Sequence, residues 1–333
     1  MTHPPDATPG SPDDGAPRGR RSSPFGRRVR DTRADLERQM QATRAQLDAT
    51  NEKIQQRTGR NLIFAILIGL VGGALLLVSL IFIKELFMVF AAAVAGSAGF
   101  EFATALRIAG LRVPRVALTV VGVALVPAAY YLHAPGLWLV ALGGILVLWI
   151  WRLVELISRA QRVAGAALLR DLVASALAIL YVPFLACFTV VLVAQPNGQW
   201  WTLAALILVV AVDTGAYAAG LSFGRHPMAP TISPKKTWEG FAGAAIVALV
   251  TGVILAVFML HTPFWFGLIF GALLLLTATM GDLVESLIKR DIGIKDMSSW
   301  LPGHGGFLDR LDSILPSVAL AYVLYVVFEP LFR

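Results

Sequence analysis

Charge is scarce in this chain, and so is cysteine. Asp, Glu, Lys and Arg make up only 15% of its 333 residues, against about 25% in average soluble domains. The single cysteine, Cys187, has no partner for an internal disulfide, and no Cys/His spacing suited to zinc accompanies it. A phosphate-loop pattern (Gly, four residues, then Gly-Lys and Ser or Thr) is missing, which leaves a P-loop NTPase unsupported. No segments of about ten residues alternate apolar and polar, so a membrane β-barrel is not expected. The first basic residues are not followed by the apolar core of a secretory signal. Nor does a Ser-His-Asp or Cys-His arrangement for nucleophilic catalysis stand out. What the chain has instead is hydrophobic residues, at 57% where about 45–50% is usual. Excess apolar content and depleted charge together point to a bilayer, and they exclude a collagen-like or wholly disordered chain.

The first sixty residues differ from the rest. Residues 1–30 are rich in Pro, Gly, Ser, Asp and Arg and have no apolar period. That composition buries too little surface to offset chain entropy, so disorder is expected there. Over 31–58 the residues Leu36, Met40, Thr43, Leu47, Thr50 and Ile54 recur at alternating spacings of four and three. A solvated amphipathic helix fits, and so does a partner-binding coiled coil. Beyond Arg60 the sequence is a succession of apolar runs. A span needs roughly 20 apolar residues. Nine are expected, near 62–83, 86–106, 115–132, 136–151, 172–194, 200–220, 240–260, 264–281 and 315–332. The fold class is therefore an all-α integral membrane protein. Its expected organisation is a basic tail over 1–60, transmembrane helices over 61–199, and a catalytic transmembrane domain over 200–333.

Orientation follows from the basic residues. With nine spans and the tail inside, 26 of the 28 Lys and Arg residues fall on the inner side, leaving only Lys84 and Arg333 outside. An even number of spans would break that agreement. The membrane is expected to be a bacterial plasma membrane, with the N-terminus and the chemistry cytosolic. Outer connections such as HAP, QPNGQ and HTP carry almost no chemistry, whereas the inner ones near the C-terminus are dense with it.

Three inner clusters stand out. Asp213 opens the stretch Asp213-Thr214-Gly215-Ala216-Tyr217 within a predicted span. A carboxylate there costs about 2.5–3.5 kcal/mol at mid-helix on insertion scales, so it is expected to face a wet cavity or a packing partner. The second cluster runs Ser233-Pro234-Lys235-Lys236-Thr237-Trp238-Glu239-Gly240 at a helix entrance. Unpaired helix N–H groups and lysine point charges suit a phosphate there, although positive-inside anchoring would place lysines in the same way. The third cluster extends from Asp282 to Ser313. Asp282, Glu285, Ser286 and Lys289 share one helical face by spacing. Lys289-Arg290, Lys295-Asp296, the glycine-flanked His304, and Asp309-Arg310 with Asp312 follow. Asp282, Asp309 and Asp312 without a Cys or His set favour a hard cation such as Mg2+ over zinc. His304 by itself fits a structural loop residue as well as a catalytic one.

At these residues a family resemblance becomes specific. Ser286, Lys289-Arg290, Lys295-Asp296, Pro302-Gly303-His304-Gly305-Gly306, Asp309-Arg310 and Asp312 fall in an order and spacing that resemble the signature of phosphatidate cytidylyltransferases (CDP-diacylglycerol synthases). The segments DTGAY, SPKKTWEG and GDLVES resemble further segments of that family in the same order, so that the likeness covers about 213–313. The resemblance implies attack of phosphatidate on the α-phosphorus of CTP, giving CDP-diacylglycerol and pyrophosphate. It also implies a paired divalent and monovalent metal centre, with K+ as the candidate second cation, and a homodimer. On these grounds Asp282 and Asp309 are expected to ligate Mg2+, with Asp312 joining them or holding the second cation. Lys289, Arg290 and Arg310 are expected on phosphates. Ser233, Lys235 and Lys236 are assigned to the triphosphate or the lipid phosphate. Asp213 and Glu239 are expected to line the polar cavity, Ser286 and His304 to lie at the substrate, and Glu285 to stand behind these groups. The expected partners are CTP, phosphatidate and membrane lipids, with no nucleic acid. An ion-coupled transporter is the alternative, because intramembrane carboxylates also mark ion paths. A membrane scaffold acting through the basic tail is a further one.

Overall fold

A computed structural model describes residues 62–158, 165–294, 296–298 and 306–332, with side chains from Leu67 onward except Ile68. The amphipathic helix expected over 31–58 lies outside the described residues, as do Lys295 and His304. Helices dominate. In chain order they are α1 (Leu62–Phe82), α2 (Lys84–Ile108), α3 (Arg115–Tyr131), α4 (His133–Ser158), α5 (Gly165–Ile179), α6 (Leu185–Val193), α7 (Gly198–Phe223), α8 (Trp238–Phe258), α9 (Phe264–Ile292) and α10 (Ile314–Phe332). Among the described residues, seven helical segments are long and apolar enough to cross a membrane, and α1 and α3 supply shorter apolar stretches. Many large apolar side chains point outward, including Leu139, Ile150, Val210 and Ile246. In water such a surface would mark aggregation, whereas facing lipid it is the expected exterior.

Several helices outrun the predicted spans, each for a local reason. The run expected over 136–151 extends across 133–158 because Arg152 and Glu155 pair on the helix at 3.5 Å. The run expected over 264–281 continues to Ile292. Its polar stripe stays helical through the Glu285–Lys289 pair, its last turn carries Lys289 and Arg290 against the negative end of the dipole, and Gly293 closes it at φ 77°. The fifth run is continuous from Gly165 to Val193, but its middle, Leu180–Phe184, is a π-helix holding Pro183. Proline has no N–H to give to the ladder, and a wider turn accommodates that loss.

The stretch before α8, read from sequence as a loop, forms a short antiparallel hairpin of β1 (Pro227–Ala229) and β2 (Ser233–Thr237). Thr237 ends β2 and caps α8, its Oγ1 accepting from the Gly240 amide at 3.1 Å. Behind the hairpin, α7, α8 and α9 pack through small residues. A Cβ on Gly252 would sit 2.4 Å from the Gly267 carbonyl, and one on Gly271 would sit 2.5 Å from the Ala248 carbonyl. The backbones of α8 and α9 are therefore almost in contact, as is usual where lipid removes the hydrophobic drive between helices.

Two aliphatic cores result. One joins α2, α3, α4 and the α5–α6 rod, and the other joins α7, α8, α9 and α10 around Trp201, Phe266 and Phe270. A buried ion pair fastens one end of the first. Arg152 on α4 reaches Asp171 on α5 at 2.9 Å, and the other Asp171 oxygen accepts the Arg112 amide of the α2–α3 loop at 2.9 Å.

Candidate active site

The polar residues gather where α9 and the turn before α10 leave the apolar body. The predicted face of α9 is real. Ser286 donates to Asp282 at 3.3 Å, and Lys289 donates to Glu285 at 2.6 Å and to Asp309 at 2.9 Å. The hairpin supplies Lys236, whose ammonium lies 2.6 Å from the second Asp282 oxygen. Gly281 shows why Asp282 and Asp312 are neighbours. A Cβ there would meet the Asp312 carbonyl at 2.2 Å, so α9 and the turn touch backbone to backbone.

The acidic groups do different work. Asp309 is held inside its own loop, with one oxygen accepting from Lys289 and the other from the amides of Met297 (3.0 Å) and Gly306 (2.9 Å). Burial pushes its carboxyl up, but the Lys289 ammonium and the two amides outweigh burial and hold it below the usual carboxylate range. Asp312 goes the other way. Burial and the nearby Asp282 carboxylate push it up to about 6, against the pull of the Ser313 amide, which it accepts at 2.7 Å. Glu285 is fully buried, and its second oxygen has no hydrogen-bond partner among the described residues.

Asp213, Lys235, Lys236 and Asp282 line one cavity of about 280 Å3, together with Thr237 and Gly240 of the α8 entrance. The sequence clusters DTGAY, SPKKTWEG and GDLVES thus meet around a single space. Ser233 begins β2 at the edge of the same hairpin. Not every expected residue joins. Glu239 turns away from the cavity and fastens the α7–β1 connection, accepting from the amides of Arg225 (3.1 Å) and His226 (3.2 Å) and pairing with the His226 ring at 2.5 Å. Arg290 reaches the Ile232 carbonyl at 3.4 Å and ties α9 to the hairpin. Arg310 lies on the other side of the turn, beside an apolar groove.

The structure adds two residues. Glu101, fully buried in α2, accepts from the Leu308 amide at 2.8 Å and from the Ser298 hydroxyl, and so grips both ends of the segment around Asp309. A Cβ on Gly306 would run into this carboxylate at 2.2 Å, which explains a glycine there on steric grounds. From sequence Glu101 was visible only as an acid inside a span. Tyr181, in the π-helical stretch, turns a buried hydroxyl toward Glu285, Asp312 and Asp282, and no described residue accepts from it. No sequence signal singled it out.

The carboxylates carry only oxygen donors, and none of the described residues form a ready cage of three or more acidic, His or Cys groups. Mg2+ does not require such a cage, since it commonly takes one or two carboxylates and completes its shell with water and substrate phosphates. The adjacent Asp282 and Asp312, with the excess negative charge around them, fit that pattern.

An integral membrane bundle with paired lysines and carboxylates at one mouth defines a class of phosphate-handling membrane proteins, and comparison with known proteins agrees. The chain belongs to the cytidylyltransferase family, which it matches over residues 63–328. It is 41% identical over 274 residues to the phosphatidate cytidylyltransferase of Mycobacterium bovis, covering 80% of this chain and 89% of that one. The Mycobacterium leprae protein of the same name is 39% identical over 280 residues, 80% of this chain and 88% of its own. The corresponding Haemophilus influenzae protein is 42% identical over 134 residues, 39% of this chain and 46% of its own.

Proposed function

We propose that the protein is a membrane nucleotidyltransferase that moves the cytidylyl group of CTP onto phosphatidate, giving CDP-diacylglycerol and pyrophosphate for phospholipid synthesis. The observation that carries this is the convergence of Lys236, Asp282, Lys289, Asp309 and Asp312 at one end of the bundle, reached from β2, α9 and the turn before α10. Family membership and the relatives' activity support it. A lipid phosphate oxygen forms a bond to the α-phosphorus, the bond from that phosphorus to the oxygen bridging to the β-phosphorus breaks, and pyrophosphate leaves with the electron pair. A phosphate monoester is already largely ionised at pH 7, its second pKa being about 6. No strong general base is therefore needed.

Each residue has a role in this proposal. Lys235 and Lys236 bind the triphosphate as point charges at the cavity wall. Asp282 and Asp312 hold Mg2+, which when bound offsets triphosphate charge and aligns the in-line attack. Asp309 and Lys289 keep the loop and the acidic face in register. Ser286 orients Asp282, and Asp213 borders the nucleotide cavity. Arg290 sets the hairpin against α9, and Ser233 and His304 are assigned to substrate phosphates. K+ is part of the proposal as a second cation, because the carboxyls of Asp213, Asp282, Glu285, Asp309 and Asp312 outnumber the lysines among them. Residues 200–333 carry the chemistry and 61–199 brace it.

Nine spans, a cytosolic N-terminus and site, a bacterial plasma membrane and a homodimer complete the proposal. The inward bias of Lys and Arg supports the orientation. The transporter alternative is not supported, since the charged groups sit at one mouth and the relatives are named as cytidylyltransferases. The test is purified protein with CTP, phosphatidate and Mg2+, scored for CDP-diacylglycerol and pyrophosphate, with phosphatidate omitted as control. Absence of lipid-dependent pyrophosphate release would refute the proposal.

A further inference from the structure

The turn before α10 has two unlike faces. Asp309 and Asp312 point into the acidic site. Phe307, Arg310, Leu311, Ile314, Leu315 and Val318 follow one another at spacings of three, one, three, one and three, the rhythm of a single helical face. That second face lines a groove of about 320 Å3, closed on its other sides by α1, α2, α6 and α7. The groove walls are mostly apolar, and among the described residues that line them Arg310 alone is charged. None of the residues around this groove borders the polar cavity of Lys235, Lys236 and Asp213. Two separate spaces therefore open beside one acidic turn, a polar one and an apolar one.

We propose that this groove seats an acyl chain of the phospholipid substrate, with the Arg310 guanidinium receiving its phosphate at the mouth. The proposal rests on the cytidylyl-transfer function above and names the place of the lipid within it. Charge complementarity argues for this occupant. A guanidinium has five donors in a fixed fork and matches a phosphate by paired hydrogen bonds. Continuity argues for it as well. Arg310 follows Asp309 directly in sequence and precedes Asp312 by two, so the groove and the acidic site share one turn of chain. The groove supplies orientation more than affinity, because an acyl chain leaving the bilayer for an apolar slot gains little from burial. Its effect should appear in the productive placement of long chains.

Gly72 on α1 lines the groove, and a Cβ there meets nothing within 4 Å, so Gly72→Leu fills the space without a backbone clash. Its neighbour Gly73 is equally open but lies off the groove, and Gly73→Leu is the matched control. At saturating CTP, kcat/KM is measured with dioleoyl-phosphatidate and with short-chain dioctanoyl-phosphatidate. Gly72→Leu is expected to lose about tenfold with the long-chain lipid and little with the short one, while Gly73→Leu behaves as wild type. Arg310→Gln is expected to raise KM for both lipids and leave KM for CTP unchanged. An unchanged ratio of long-chain to short-chain kcat/KM in Gly72→Leu overturns the groove assignment. So does an equal loss on both lipids together with altered subunit assembly, which would make the groove an interface between copies. A wild-type protein that forms no CDP-diacylglycerol from either lipid refutes the catalytic proposal instead. A phosphatidate carrying a photoreactive acyl group, applied without CTP, should label the groove in wild type and less in Gly72→Leu.

Discussion

Two aspartates one helical turn apart behave as opposites. Asp309 accepts from three donors and stays ionised, whereas Asp312 is crowded by Asp282 and by burial. Asp309→Asn should therefore lower both turnover and the thermal midpoint, because it removes one of the two carboxylates that pair the Lys289 ammonium and weakens the loop. Hydrogen bonds to charged groups contribute about 1.5–3 kcal/mol each. Asp282→Asn should cut kcat by about a thousandfold with little change in melting, since its side chain is only part-buried. Differential scanning fluorimetry beside steady-state assays separates the two, and near-normal turnover in folded Asp282→Asn would remove that residue from the metal. Asp312 predicts a pH effect. Its carboxyl lies near 6, so protons compete with the cation as pH falls through that value. The Mg2+ concentration giving half-maximal rate should rise between pH 7 and 5. A flat Mg2+ requirement over that range would mean that Asp312 does not ligate.

At the scale of elements, the decisive contact joins helices that lie far apart in the chain. Glu101 is separated from Ser298 by 197 residues and from Leu308 by 207. Helical faces at spacings of three and four are local, so the Asp282–Lys289 stripe could be read directly from sequence. Partnerships across two hundred residues leave no periodic trace. For that reason Glu101 looked like an isolated acid, Tyr181 drew no notice, Glu239 was expected in the cavity, and Lys289 was expected on substrate rather than between Glu285 and Asp309. The helix segments themselves were legible because apolar runs of span length have few other uses. The hairpin was not, since SPKKT carries no alternating pattern. Glu101→Gln keeps one acceptor and loses the charge, so it should release the loop without unfolding the bundle. The expected outcome is faster amide exchange over 296–308 and a kcat about ten- to a hundredfold lower, with Glu101→Asp restoring part of it. Unchanged exchange in Glu101→Gln would show that α2 does not hold the loop.

For the whole molecule, the proposed orientation sorts chemistry and charge to one membrane face. The polar cavity, the acidic turn and the Arg152–Asp171–Arg112 fastening all lie at helix ends that the Lys and Arg distribution assigns to the inside, and the outer connections remain plain. The single cysteine makes this directly testable. Cys187 is buried in α6, away from solvent, so the native chain should not react with a membrane-impermeant maleimide. That silent background allows cysteines to be added one at a time. Gln195→Cys in the α6–α7 connection and Pro230→Cys at the tip of the hairpin lie on opposite faces if the helices cross as proposed. In right-side-out vesicles the first should label and the second should not, and in inverted vesicles the result should reverse. Labelling of both from one side would overturn the crossing pattern. Labelling of Pro230→Cys only from outside would place the carboxylates on the wrong face for a cytosolic nucleotide, and the orientation proposed for the enzyme would fall with it.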